Sequence, residues 1–417
     1  MHTSRVTTCL FFSLIVACSD DVSGGADAAS AAEGGTDAAV SPSERFLVGG
    51  ITITPDGRVG YGVVVDGLRS DVEVDLTQAA TFPGQPAIAA SPALDGTAWV
   101  GLDEEPVVQR YRLGDSDQLE FEAEFSAAPL GLTSASGGLA VVSPEKGYLF
   151  DLDSLSIVQF HPTEMLLGNS LPIEGVETEP GETNNFSFLV RDGDRIIVVV
   201  NFFRADGTAI PRSRAVFLDT RTDTLSYADI EGCGRLGWSA KDADGNIFFA
   251  THPAQAGLTA GGLAGAPPSP ACMATIPAGE ASFRDGFLDL ETLASAPAGA
   301  LAQGVDGAGY TLVFDDPTIE VSQDNGDQLS LLPGWSYYSF RFGDEEATLT
   351  RVPGLDRGLG IAIDFQVREG DGPEETPFIV QIGLGFGRST AYDMTDPAAP
   401  VARLDFPGIP FGAIRLR

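Results

Sequence analysis

Arginine and aromatic side chains near the predicted ends of strands are the residues of this chain best suited to bind a ligand. A guanidinium group donates paired hydrogen bonds to carboxylate or catecholate oxygens, and aromatic faces stack on cations and planar groups. Each candidate also has a structural interpretation, as an aromatic that packs between sheets or as a solvated arginine at an edge. The candidates are Arg110, Arg112, Arg195, Arg235, Trp238, Trp335, Tyr337, Tyr338, Arg341 and Arg388.

Familiar catalytic motifs are absent, which favours binding over catalysis. Nucleophile elbows, phosphate-binding loops and zinc-protease motifs do not occur, and three histidines are too few for a His-rich metal site. His161 and His252 each precede a proline, and we interpret both as loop residues. Asp242–Asn246 resembles a calcium loop, but Pro253 stands where a Glu is needed, so we predict a hairpin turn. We predict no catalytic residue, metal or cofactor, although an unidentified carboxylate pair stays open.

Short apolar runs separated by turn residues recur along the chain and must position these candidates. The sequence contains 50 glycines and 27 prolines and lacks long stretches of helical periodicity, a pattern typical of many short strands. Repeats begin near residues 50, 87, 129, 187, 237, 302 and 358. This spacing of roughly 40 to 60 residues predicts an all-β protein, a β-propeller of about seven four-stranded blades. Two β-sandwich domains are the alternative.

A propeller has to join its first and last blades, because an open ring leaves unpaired edges. The final residues, 412–417, form a strand-like run, and residues 44–48 near the start form another. We expect these two segments to pair in one blade and so to close a single domain over residues 44–417.

The N-terminal residues predict export. Arg5 precedes the apolar run Cys9–Val16, which is typical of a signal peptide at 1–17. Ile15–Cys18 resembles the lipobox of bacterial lipoproteins, so we expect a lipid on Cys18, followed by a disordered acidic Ala/Gly/Ser tether over 18–43. The predicted location is the bacterial cell envelope, at the outer membrane, with membrane contact through the lipid alone. An ordinary signal peptide with an incidental Cys18 is the alternative.

Charge and cysteine content narrow the possible partners. The chain has 59 acidic and 24 basic residues and a formal net charge of −35, which argues against nucleic acid because phosphates need a basic surface. After export, Cys233 and Cys272 remain, and we predict that they form a disulfide, with two buried thiols as the alternative. We expect a monomer.

Three segments resemble a family of bacterial propeller lipoproteins that are found with siderophore-uptake receptors, among them the myxochelin-associated lipoprotein family. They are Cys272–Leu290, Trp335–Arg341 and Ala347–Leu355, and the resemblance extends over roughly 185–417. The resemblance implies a lipid-anchored propeller that binds a ferric siderophore or assists its outer-membrane transporter. We therefore expect a binding protein rather than an enzyme. An envelope hydrolase or lyase on a propeller scaffold, or a protein–protein interaction platform, is the alternative.

Overall fold

A computed structural model describes residues 44–417, apart from 56, 69–71, 91–93, 95, 152–153, 188, 344–346, 362–365 and 369–376. The predicted signal peptide at 1–17, the lipidation site Cys18 and the tether at 18–43 lie outside the described residues. Within the described part, none of the helices has the length and apolar character needed to cross a membrane.

Strands dominate the described chain and are numbered here in sequence order. They are β1 (Arg45–Thr54), β2 (Gly57–Asp66), β3 (Val72–Glu73), β4 (Ala80–Pro83), β5 (Ala87–Ala90), β6 (Thr97–Gly101), β7 (Val107–Leu113), β8 (Leu119–Ser126), β9 (Leu139–Ser143), β10 (Lys146–Asp151), β11 (Ser156–His161), β12 (Leu166–Pro172), β13 (Thr183–Phe186), β14 (Val190–Asp192), β15 (Arg195–Phe203), β16 (Ala209–Asp219), β17 (Thr224–Glu231), β18 (Leu236–Lys241), β19 (Ile247–Thr251), β20 (Cys272–Ile276), β21 (Leu288–Asp289), β22 (Ala298–Gln303), β23 (Ala308–Phe314), β24 (Trp335–Arg341), β25 (Thr350–Arg351), β26 (Gln366–Arg368), β27 (Phe378–Ile382), β28 (Arg388–Asp393), β29 (Val401–Pro407) and β30 (Ile409–Arg415).

Helices are few in the part of the chain that the structure describes, and all lie in connections between strands. The α-helices are α1 (Pro253–Ala260) and α2 (Leu290–Ala294). Short 3-10 turns occur at Leu76–Gln78, Ala128–Leu130, Gly326–Leu331 and Leu384–Phe386.

The strands form seven sheets, which are the blades of a β-propeller, as the repeat spacing predicts. Blade one is β30-β1-β2-β4, with β26 beside β30. Blades two and three are β5 to β8 and β9 to β12. Blade four is β13/β14-β15-β16-β17, blade five β18 to β21 and blade six β22 to β25. Blade seven is β27-β28-β29-β3.

Two strand pairs from opposite ends of the chain close the ring. β1 pairs antiparallel with β30, so that Val48 lies opposite Ala413, and this confirms the predicted pairing of the terminal segments. β3 adds in parallel to β29, with Leu404 opposite Val72. The N-terminal part of the described chain therefore contributes strands to both the first and the last blade.

Alternating side chains on each strand fill the spaces between neighbouring blades, since successive residues of a strand face opposite sides of the sheet. In β15, Ile197 and Val199 pack toward blade five, whereas Ile196 and Val198 pack toward blade three.

The third repeat differs from its predicted start near residue 129. Ala128–Leu130 is a 3-10 turn, and β9 begins at Leu139 because the intervening residues form a connection.

Because neighbouring strands of a blade are antiparallel, the loop that enters the first strand and the loop that leaves the second strand lie at the same end of each regular blade. The first strand begins where the second strand ends, and we call this end the upper face. In blade five, Leu236 of β18 lies opposite Thr251 of β19, so Arg235 and His252 adjoin each other there. At the opposite end, Asp242–Asn246 forms the predicted hairpin turn, in which Asp242 Oδ1 accepts the Asn246 N–H at 2.8 Å.

Ring closure can be tested at a small apolar cluster that includes Leu47, Ala98 and Leu416, all buried. We expect Leu47→Ala and Leu416→Ala each to lower the free energy of unfolding by about 2–5 kcal/mol. Because the two leucines share one cluster, their effects should differ from additivity by about 0.5–3 kcal/mol. Urea unfolding of the single and double variants measures this coupling. Leu47→Ala combined with Leu149→Ala in blade three is the control pair, and equal coupling in both pairs would contradict the expectation.

Candidate functional site

Arg235 and His252 meet at the upper face of blade five, where β18 begins and β19 ends. The His252 backbone N–H donates to the Arg235 carbonyl oxygen at 3.2 Å. This hydrogen bond extends the pairing of the two strands by one residue and fixes the two side chains as neighbours. Both lie beside the first strand of the blade.

Two observations indicate that the two side chains line a recess. Protein surrounds Arg235 and His252 on nearly all sides, yet each side chain keeps part of its surface accessible to solvent. Gly237 supports the same conclusion, because a Cβ atom built there would have no atom within 4 Å. Gly237 is also the extra residue of a β-bulge between Leu236 and Trp238, and bulges often occur beside functional sites.

Arg235 carries a positive charge that no acidic side chain among the described residues neutralises. Its described side-chain contact is with Phe203, whose ring centre lies 5.8 Å from the guanidinium carbon. Burial alone lowers the pKa of the guanidinium to about 10, so the group stays charged at neutral pH. In a chain with a net charge of −35, an arginine of this kind is a candidate binding position for an anion.

The other end of the same blades shows the opposite arrangement. Lys241, the last residue of β18, donates to Asp192 at 2.7 Å, and the predicted site residue Arg195 pairs with the same carboxylate. Burial opposes ionisation of Asp192, but its hydrogen bonds to both cations lower the pKa of the carboxyl group overall. Cations at this end are thus neutralised within the protein, whereas Arg235 is not.

His252 carries one imidazole N–H donor, on the ring nitrogen that does not cap helix α1. Its Nδ1 accepts the Ala254 N–H at 3.1 Å and caps helix α1. Burial, and then the charge of Arg235, lower the pKa of the imidazole to about 3. At neutral pH the ring is therefore uncharged, and because Nδ1 accepts, its proton resides on Nε2. The expectation that His252 is a loop residue does not include this role, although a histidine before Pro253 fits a helix cap followed by proline at the first helical position.

Helix α1 is held tightly against blade six, which fixes its cap. A Cβ atom at Gly257 would lie 2.4 Å from the Gly326 carbonyl oxygen, so only glycine permits this approach. The indole ring of Trp238 lies near the imidazole ring of His252, with the two ring centres 6.3 Å apart. Helix packing and the indole together restrict the orientation of His252.

The backbone at Arg235 is strained. Its φ of 57° lies in the left-handed region, which non-glycine residues seldom adopt. Such conformations cost about 1–3 kcal/mol and concentrate at functional sites. The predicted disulfide between Cys233 and Cys272 is confirmed, and it lies two residues before Arg235.

Several predicted arginines tie neighbouring strands or blades together instead. Arg110 pairs with Glu122 at 3.0 Å and donates to the Thr163 carbonyl oxygen of blade three at 2.6 Å. Arg388 pairs with Asp405 in its own blade. The guanidinium groups of Arg110 and Arg388 therefore have partners within the protein.

Four of the remaining candidates lie in blade six and also have internal partners. Trp335 and Tyr337 are buried and donate to backbone carbonyls, at 2.8 Å and 3.0 Å. Tyr338 donates to Asp315 at 3.0 Å, and Arg341 donates to a backbone carbonyl of its own blade at 3.0 Å. Arg112 is exposed on blade two. Of the predicted residues, the structure brings Arg235 and Trp238 together and places His252 with them.

No group of three or more His, Cys, Asp or Glu side chains within the described ranges is arranged to hold a metal ion. The described side chains around the recess include a cation, a neutral N–H donor and aromatic rings. This set can bind an anionic oxygen and polarise a carbonyl group.

Solved structures with the same fold include bacterial β-propellers. A protein from Lactobacillus plantarum is 13% identical, with 90% of this chain and 100% of that chain covered and a TM-score of 0.51. A proposed 6-phosphogluconolactonase from Bacteroides uniformis is 9% identical, with 89% and 99% covered and a TM-score of 0.53. A second one, from Bacteroides fragilis, is 9% identical, with 91% and 100% covered and a TM-score of 0.50. At these identities the likeness shows the fold alone.

The other comparisons identify no family. No protein-family model matches the chain, and no curated protein matches it. The resemblance to siderophore-associated lipoproteins is thus supported only at the level of a bacterial propeller. The expectation that the chain is not an enzyme is wrong on this comparison, because similar propellers include proposed lactonases, which are enzymes.

The low pKa of His252 has a testable effect on stability. The unfolded chain takes up a proton at this histidine near pH 6.5, but the folded protein does so only near pH 3. Folding stability therefore falls as the pH drops from 6.5 towards 3. We expect His252→Asn, which keeps a helix-capping side chain, to reduce the loss of unfolding free energy between pH 7 and pH 5 by about 1–2 kcal/mol. Urea unfolding at both pH values measures this. Identical losses in the two proteins would contradict it.

Removal of the strained, charged residue should stabilise the fold. We expect Arg235→Gly to raise the free energy of unfolding by about 1 kcal/mol, because glycine adopts the left-handed conformation without strain. Asp306→Gly is the control, since Asp306 has a similar φ of 52° in an exposed turn. Urea midpoints give the comparison. A destabilised Arg235→Gly beside a stabilised control would show that Arg235 supports the fold.

Proposed function

We propose that this protein is a hydrolase that opens the lactone ring of an anionic sugar acid in the Arg235–His252 recess. The observation that carries the proposal is the pairing of an unneutralised guanidinium with a neutral imidazole N–H at the wall of the recess. The likeness to propellers named as proposed 6-phosphogluconolactonases supports the choice of substrate class.

The chemistry follows from the two donors. Water attacks the lactone carbonyl carbon, and the carbonyl oxygen becomes negatively charged in the tetrahedral intermediate. His252 Nε2–H and the Arg235 guanidinium donate to negative oxygens, and donors held in place before reaction lower the barrier most. The ring C–O bond then breaks, the ring oxygen takes the proton that the attacking water gives up, and a hydroxy acid is released.

The protonation state of His252 decides its role in this scheme. With Nδ1 engaged by the Ala254 N–H and a pKa of about 3, the imidazole is a poor base at neutral pH. It acts as an electrophile that polarises the carbonyl, while Arg235 binds the anionic substituent. A lactone suits such a site, since a cyclic ester is activated towards water and its ring oxygen stays attached as it leaves.

Hydrolysis assays on the full chain test the proposal. We expect acid release from 6-phospho-D-glucono-1,5-lactone above the spontaneous rate, with weaker hydrolysis of the neutral D-glucono-1,5-lactone. His252→Ala should lower kcat by about a hundredfold to a thousandfold, the usual effect of losing an oxyanion donor. Arg235→Ala should remove the preference for the anionic substrate.

Arg341→Ala is the matched control for this experiment. Arg341 donates to a backbone carbonyl in blade six, away from the recess, so its removal should leave both rates unchanged. No hydrolysis above the spontaneous rate, or equal losses in Arg341→Ala and Arg235→Ala, would refute the proposal.

A ferric siderophore is the second candidate ligand. Catecholate and carboxylate siderophores carry anionic oxygens and planar rings, and the recess offers Arg235 together with Trp238 and Phe203. The proposed setting is a lipid-anchored envelope protein, as Cys18 and the predicted signal peptide suggest. Saturable quenching of tryptophan fluorescence by one siderophore class, lost in Arg235→Ala, would favour this ligand over a lactone.

A further inference from the structure

A buried asparagine of blade four holds the backbone next to Arg235. Asn201 Nδ2 donates to the Leu236 carbonyl oxygen at 2.7 Å, and Asn201 Oδ1 accepts the Leu236 N–H at 2.7 Å. The side chain of Asn201 thus binds both backbone polar groups of Leu236. The residue held in this way directly follows the left-handed Arg235 and begins β18.

All hydrogen-bonding positions of this amide are used. Ser213 Oγ lies 2.9 Å from Asn201 Oδ1, and Asn201 Nδ2 also lies 3.2 Å from Asn185 Oδ1. The arrangement fixes which side of the amide is oxygen, because only that orientation matches every donor with an acceptor. Asn201 is 2% exposed, and a buried amide that lacked these partners would destabilise the fold.

The position of Asn201 in its strand is unusual. Ile197 and Val199 precede it on the same face of β15 and pack against blade five. The next position on that face would ordinarily hold another apolar residue, since blades pack together through such side chains. Asn201 instead forms two hydrogen bonds that join blade four to Leu236 of blade five, next to Arg235.

Neighbouring residues fix the rest of the turn. Ser269 Oγ accepts the Gly234 N–H at 2.9 Å, and Thr251 Oγ1 donates to the Gly234 carbonyl at 3.3 Å. The Cys233–Cys272 disulfide holds the start of the segment. The Asn201 link holds its end, where a rotated peptide would release the strain at Arg235.

We infer that Asn201 is a positioning residue, which keeps Arg235 in its strained conformation and its guanidinium in the recess. Asn201 does not touch the recess through any described contact and acts through the Leu236 peptide. This inference rests on the proposed function for its kinetic test but not for its structural test.

The test compares Asn201→Leu with a matched variant elsewhere. Leucine has the same number and branching of side-chain heavy atoms but makes neither hydrogen bond. Thr311→Val in blade six is the control, because buried Thr311 donates to the carbonyl of Ala300, another left-handed residue, at 3.0 Å. Both variants lose a buried polar link, but only the first is attached to the Arg235 segment.

We expect Asn201→Leu to lose most of the preference for 6-phospho-D-glucono-1,5-lactone over D-glucono-1,5-lactone, by about tenfold to a hundredfold, the range for a hydrogen bond to a charged group. Thr311→Val should keep the preference. A general loss of folding lowers both rates together and leaves their ratio unchanged. An unchanged ratio in Asn201→Leu would overturn the inference.

A measurement independent of turnover separates this inference from the proposed function. The Arg235 Nε–H signal in ¹⁵N–¹H spectra of the full chain is assigned by its loss in Arg235→Lys. We expect it to shift or broaden in Asn201→Leu and to stay in place in Thr311→Val. If the wild type hydrolyses no lactone, the proposed function fails, and this signal alone decides the inference. An unmoved signal overturns it.

Discussion

The pairing of β1 with β30 is the constraint on which the rest of the structure depends. A ring of blades stays closed only when its first and last strands are held together. Here one sheet contains strands from both ends of the described chain. The parallel addition of β3 to β29 joins the neighbouring blade to the same N-terminal region. The first strands of adjacent blades are thereby held around a common axis, and the upper face becomes a fixed frame for the recess.

Within that frame, the character of the recess depends on Arg235, which is buried but is not paired with an acidic side chain among the described residues. Burial weakens the hold of Arg235 on its proton, and burial of the imidazole, followed by the charge of the same guanidinium, keeps His252 uncharged. A carboxylate placed beside Arg235 would oppose both effects, since it would stabilise the guanidinium and favour the imidazolium form. Because the chain as a whole is acidic, the lack of an acidic partner for Arg235 among the described residues is a specific feature of the site.

The period of turns and apolar runs predicts the propeller well, because each blade is built mainly from neighbouring segments. The site is predicted only in part. Arg235 and Arg388 look alike in the sequence, and the acid beside Arg388 is recognisable only once the register of β28 and β29 is known. His252 could not be distinguished from an ordinary loop histidine, since helix α1 owes its burial to contacts with distant blade six.

The place of β1 in its sheet has a mechanical consequence. β1 lies between β30 and β2, and hydrogen bonds run along both of its sides nearly perpendicular to the strand. A pulling force applied at Glu44 along the strand loads these bonds in shear, so that they resist together rather than opening one by one. A propeller held by its N-terminal end would thus bear tension across the very sheet that closes the ring.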